Sequence, residues 1–126
     1  MTVPFRSEIM TRRTDIDLSA EPWTLVKATG DNDMDQANSG ELCIGVLTED
    51  VADGSTTAVY LPVQIGPIVR VKCGGAITAG AIAMSDNEGD AVAGTDGNYI
   101  FGIALETHAD GDIGSFQWAP SYFENT

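Results

Sequence analysis

The sequence is poor in positive charge. Six Lys and Arg stand against nineteen Asp and Glu, a formal net charge of −13. That balance opposes binding to nucleic-acid phosphates or to an anionic lipid surface. Histidine and cysteine are also scarce: His108 is alone, and Cys43 and Cys73 make no CxxC pair, so no metal site is indicated. The longest nearly uncharged apolar stretch, 58–69, is too short to span a bilayer and contains Pro62 and Pro67. Residues 1–13 lack the continuous apolar segment of a secretory signal, so the two cysteines read as buried thiols of a reducing compartment. Helical periodicity is missing as well. No window of eleven or more residues keeps an apolar i, i+3, i+4, i+7 stripe free of Gly or Pro, which predicts little helix.

What remains is the pattern of a β protein. The 126 residues are 43% hydrophobic, enough for one domain that buries roughly two-thirds of its unfolded surface. Short apolar, β-branched runs separated by Gly, Asn and Asp predict strands over 23–28, 42–48, 57–62, 68–73, 81–85, 91–93, 99–105 and 113–118. Asp86-Asn87-Glu88-Gly89, Asp96-Gly97 and Asp110-Gly111 supply three tight reversals, which predict a meander of antiparallel neighbours. The expected fold is all-β: a small single-domain antiparallel β-barrel or β-tulip over 21–126, preceded by an extended N-terminal arm over 1–20.

Charge sets that arm apart. Residues 1–13 hold Arg6, Arg12 and Arg13 against Glu8, whereas residues 14–126 hold three basic and eighteen acidic side chains. A basic arm on an acidic body suits docking onto another surface. Pro4, Phe5, Arg6, Arg12 and Arg13 are its candidate contact residues. Residues 29–40 are polar and read as a surface loop.

Candidate chemistry is thin. Asp31, Asp33 and Asp35 match the first ligands of a calcium-binding EF-hand loop, but Gln36 stands where Gly is required and Leu42 where the bidentate Glu belongs. His108 lies in a turn and is expected at the surface, where nothing in the sequence brings Cys43 to it as a nucleophile–base pair. Ser115 lacks the second Gly of a nucleophile elbow. Gly74-Gly75 belongs to no phosphate-binding motif. No catalytic constellation and no cofactor site emerge. Trp23, Tyr60, Phe101, Phe116 and Trp118 fall in strand runs and read as core, whereas Tyr122 and Phe123 on the terminal tail read as a contact surface.

The stretch from Val71 to Trp118 resembles the head-decoration, or capsid cement, proteins of tailed bacteriophages. The matching positions are Ala79-Gly80, Asp86 to Gly89, Phe101-Gly102-Ile103-Ala104-Leu105-Glu106 and Asp110-Gly111-Asp112. Gly80, Gly89, Gly102, Ala104 and Gly111 carry the pattern, and all are structural types: turns, and at Gly102 a bulge or close backbone approach. The resemblance implies a non-enzymatic protein of the virion, binding the major capsid protein on the exterior of the shell. It further implies a homotrimer between capsomers that holds the shell against the pressure of packaged DNA, attached in the host cytoplasm without nucleic acid, membrane or cofactor. The rival reading is a phage tail or glycan-binding β module, which would present Trp23, Tyr99 or Tyr122 as an aromatic shelf.

Overall fold

In a computed structural model, residues 8–14, 23–30, 33–48 and 60–124 are described. They form ten strands and, among the described residues, no helix: β1 (Glu8–Thr14), β2 (Thr24–Gly30), β3 (Asp33–Gln36), β4 (Gly45–Leu47), β5 (Tyr60–Ile65), β6 (Ile68–Lys72), β7 (Ile82–Ser85), β8 (Ala91–Ala93), β9 (Asn98–Ala104) and β10 (Ile113–Phe123). The first five pair in the order β1-β3-β2-β4-β5, with β5 returning to β1, so that sheet curls round on itself. The last five form an open sheet ordered β6-β10-β9-β7-β8. Pairing is antiparallel except between β1 and β3. The all-β expectation holds. Strand periodicity does not carry how the strands divide: the first five close on themselves, β5 pairing back to β1, and the last five form a separate open sheet.

Three local expectations change. Part of the expected arm is β1, which pairs with β5 from Glu8↔Ile65 to Arg13↔Tyr60 and meets β3 at Arg13↔Asp33. Part of the expected surface loop is β3, paired with β2 through Val26↔Gln36 and Ala28↔Met34. Both segments lack apolar alternation; they are strands because partners accept their backbone groups, not because of propensity. The meander also fails once. β9 pairs with β7 and β10, not with β8, so the Asp96-Gly97 turn carries the chain past β7 instead of closing a hairpin. Gly97 N–H there donates to Phe123 O at 2.9 Å, anchoring the turn to the far end of β10.

One core serves both sheets. Leu25 and Val46 from the first pack with Val69, Val71, Ala83, Ala91, Phe101, Ala104 and Phe116 from the second. The Phe101 and Phe116 rings meet edge-on at 5.1 Å, a favoured aromatic geometry. The β7–β8 hairpin also joins the sheets. Asp86 Oδ1 accepts from the Glu88 and Asp90 amides at 2.8 and 3.0 Å, which fixes the turn, and Gly89 takes φ +75°. Gly89 O then accepts from Leu25 N–H of β2 at 2.8 Å. A β-carbon on Gly89 would lie 2.9 Å from Leu25 O, so the close approach needs glycine twice over.

Gly102 sets the phase of β9. A β-carbon there would overlap the Gln117 carbonyl oxygen of β10. Opposite it, the β10 register slips from Trp118↔Gly102 to Ser121↔Ile100, a bulge that accommodates Pro120. Phe101 and Ala104 both face the core, which strict alternation over three residues would forbid. Phe101 enters the core cluster, while Ile100, also buried, packs beside Ile82 where a β-carbon on Gly94 would lie. Replacing Gly102 by Ala is expected to cost about 3 kcal/mol, as overpacking against backbone that cannot rotate away. Gly80→Ala, at φ +85° with open space around it, is expected to cost about 1 kcal/mol. Urea unfolding of the two variants checks the contrast, and equal costs would contradict it.

Candidate functional site

The expected arm contacts divide. Pro4, Phe5 and Arg6 lie outside the described residues, whereas Arg12 and Arg13 are in β1, opposite Leu61 and Tyr60. Gly80, Gly89, Gly102, Ala104 and Gly111 are all structural positions. Gly80 N–H donates to Ala104 O at 2.8 Å, Gly111 N–H to Cys73 O at 2.8 Å, and Ala104 N–H to Ala81 O at 2.9 Å. Gly111 takes φ +89° in its turn.

The groups that could do chemistry are engaged structurally. His108, expected at the surface, is buried. Its backbone bridges to Ile77 in both directions at 2.8 and 2.9 Å, and its ring lies 5.6 Å from that of Phe116. Its Nε2 accepts from Ser115 N–H at 3.2 Å. Gly114 has no side chain because the imidazole fills that space. The turn composition that suggested exposure belongs to Ala109–Asp112, one residue on, where Ala109 N–H donates to Asp112 Oδ2 at 2.9 Å.

Cys43 is buried, and its thiol donates to Glu41 O at 3.5 Å. Burial, and then the nearby Glu41 charge, push it up to about 12. Cys73 is pushed upward too, first by burial and then by Asp112. Both shifts disfavour the thiolate that a nucleophile requires. Both are free, not bridged.

The acidic segment is likewise structural. Asp33 and Asp35 lie in β3, not in a loop, and Asp35 Oδ1 accepts from Gln36 N–H at 2.7 Å; Asp31 is outside the described residues. Beyond it, Glu41 receives Lys27 Nζ at 3.0 and 3.1 Å and Asn38 N–H at 2.7 Å. Burial alone would raise the Glu41 carboxyl; Lys27 and the Asn38 amide together outweigh it and hold it below its ordinary value.

Surfaces are more informative. A shallow depression of about 220 Å³, lined by Pro67, Ile68, Leu105 and Gln117, opens on the second sheet and holds no ionisable group. Trp23 is half-buried against the core. Its positive φ of 71° is held by N–H donation to Leu47 O at 2.6 Å and by acceptance from Lys72 N–H at 2.9 Å. Tyr99 and Tyr122 are exposed and meet edge-on at 5.1 Å. These three rings do not line the depression, so they form no aromatic shelf around it. The sequence reading missed this outward face. Its signal is the run Ile68-Val69 and the run Ile103-Ala104-Leu105, apolar on both sides of a strand.

Among the described residues no reactive cluster assembles and several apolar side chains face outward, and comparison with known proteins decides the family. The family model described as phage cement protein matches residues 18–116. The chain belongs to the phage cement protein family. The match begins well before the segment that carried the resemblance and takes in both sheets. Among solved structures, the head fiber gp8.5 N base of bacteriophage phi29 is similar in fold. Its TM-score is 0.74 at 20% identity, covering 95% of this chain and 100% of that one. No curated protein matches.

The burial of Cys43 also makes stability depend on pH. Cys43 is neutral in the folded chain well above its ordinary value of 9.0, whereas an unfolded chain ionises there. Stability is therefore retained below about pH 9 and lost as pH rises toward 12, with a slope on the order of 1 kcal/mol per pH unit. Urea midpoints at about pH 8 and about pH 10.5 should fall less for Cys43→Ala than for the parent. Equal falls would contradict the assignment.

Proposed function

We propose that this phage cement protein binds the outer surface of the assembled head as a homotrimer between capsomers, and holds neighbouring major capsid subunits together without catalysis. Family membership over residues 18–116 is the observation that carries the proposal. The phi29 neighbour is itself part of a head fiber, which is consistent with a β domain working on a capsid exterior. Anything that binds the assembled shell but not its dissociated parts stabilises the shell, by about 2.7 kcal/mol per site at a hundredfold excess over Kd. Trimerisation multiplies the attachment, because the second and third contacts become intramolecular. The net charge of −13 turns the protein away from packaged DNA and from membranes. Its place is the virion exterior, reached in the host cytoplasm.

The arm in this proposal is shorter than residues 1–20. β1 begins at Glu8 and its backbone pairs with β5, so residues 8–13 are not free to add a strand to the shell. Residues 1–7, with Pro4, Phe5 and Arg6, are the segment proposed to lie along a sheet edge of the capsid protein. Arg12 and Arg13 flank its root.

Co-sedimentation with mature and with unexpanded heads tests the proposal. The full chain should pellet with mature heads selectively. Deleting residues 2–7 should weaken attachment by about tenfold or more, which is about 1.4 kcal/mol, with thermal unfolding unchanged. Deleting 2–13 would also remove β1 and should destabilise the fold. Equal attachment to both head forms, or none to either, would contradict the reading; undiminished attachment without residues 2–7 would contradict the role of the arm.

A further inference from the structure

The last strand of the second sheet outruns one of its neighbours. β10 pairs with β6 only from Ile113↔Lys72 to Gln117↔Ile68, and one more bond, Trp118 N–H to Pro67 O at 2.9 Å, ends that ladder. On the other side of Gly66-Pro67 the chain is already β5, whose partners are β1 and β4 of the first sheet. Along its opposite edge β10 continues against β9 as far as Phe123↔Asn98. Residues 119–123 are therefore paired along one edge only among the described residues, and Ala119 to Tyr122 are exposed.

Printed bonds on either side of β9 fix which backbone groups the open edge presents. Tyr99 N–H donates to Gly40 O at 3.0 Å, on the β7 side of β9, since Gly40 N–H is itself bonded to Ser85 O of β7. Residues directly opposed in an antiparallel pair either exchange both bonds or turn both sets of groups away from each other. Tyr122, opposite Tyr99, therefore turns its N–H and C=O away from β9. Phe123 agrees with that alternation, because its O accepts from Gly97 N–H on the β9 side at 2.9 Å. Neither backbone group of Tyr122 has a partner among the described residues. An unpaired donor and acceptor side by side on a strand edge are a template for one more strand. Pro120, without an N–H, and the bulge between Trp118 and Ser121 blunt that edge against flat pairing with a copy of itself.

We infer that an extended segment of the major capsid protein adds as a strand to this edge of β10 and exchanges backbone bonds with Tyr122. One aliphatic side chain of that segment enters the depression lined by Pro67, Ile68, Leu105 and Gln117, since Pro67 and Gln117 border the point where the β6 ladder stops. Position ties the edge to the shell. β1 begins at Glu8 opposite Ile65, two residues from Pro67, so the root of the arm and the open edge share one end of the molecule. Main-chain bonds give such a contact its affinity, and pockets and charge give it selectivity. The body beyond residue 13 carries eighteen acidic against three basic side chains, and exposed Glu124 follows the edge, so the added segment is basic at that end. The inference rests on the capsid binding proposed above and names a second contact, which the arm does not make.

Amide hydrogen exchange on the full chain, free and attached to mature heads, tests the inference. The Tyr122 amide should exchange fast in the free protein and slow by a factor on the order of ten or more on the heads. Tyr122→Pro deletes the outward donor and spares the β9 ladder, whereas Tyr122→Ala loses the ring and keeps the donor. Co-sedimentation should be weaker for Tyr122→Pro than for Tyr122→Ala by about tenfold. The exchange measurement uses the parent chain, so it decides the matter even where Tyr122→Pro fails to fold. Attachment with unchanged exchange at Tyr122 would overturn the strand addition and leave the cement function standing. Equal attachment of the two folded variants would do the same. Protection that grows with concentration in the free protein would overturn it by giving the edge to a second copy. No attachment of the parent at all would overturn the capsid reading, and the inference with it.

Discussion

The contact on which the second sheet depends is backbone against backbone, where β9 passes the Gln117 carbonyl of β10 at Gly102. No side chain fits there. Because it is so close, the alternation of β9 resets, and one strand can send Phe101 and Ala104 into the core on either side of it. Ile103, half-buried, stands opposite Ile82, and Ile100 is buried against Ile82 and Gly94. The core aromatic cluster and the outward apolar face are thus two consequences of one missing β-carbon. A rigid, twisted sheet with apolar groups on both sides is costly for a protein that works alone, and useful for one that works against a neighbour.

The groups that might have suggested chemistry are absorbed by the fold. His108 accepts a backbone amide and fills the space above Gly114, Asp86 caps its hairpin, and Cys43 and Cys73 are held as neutral thiols in the core. Glu41 and Lys27 satisfy each other. Among the described residues, what faces solvent is a set of patches differing in polarity and charge, in keeping with the adhesion proposed above.

Much of this was legible in the residues. The runs 68–73, 81–85, 91–93 and 99–105 coincide with β6 to β9 because each combines β-branched residues with Gly, Asn or Asp turns whose geometry is locally determined. Gly102 was legible as a close approach for the same reason. β1 and β3 were not, since EIMTRRT and DMDQ carry no apolar alternation and owe their conformation to partners distant in sequence. The pairing of β9 with β7 rather than β8 was hidden too: Asp-Gly marks a reversal but not which strand lies beyond it. His108 was misplaced because turn composition describes its neighbours, not itself. The outward face was not legible because a run apolar on both sides of a strand does not say which side each residue occupies; the register does.

The cement function proposed for this chain requires that the protein strengthen an assembled shell by binding it. The direct measurement is the disruption temperature of mature heads by scanning calorimetry, with and without added protein. That temperature should rise with the logarithm of free protein concentration, as linkage requires. An unchanged disruption temperature with the head sites saturated would contradict it.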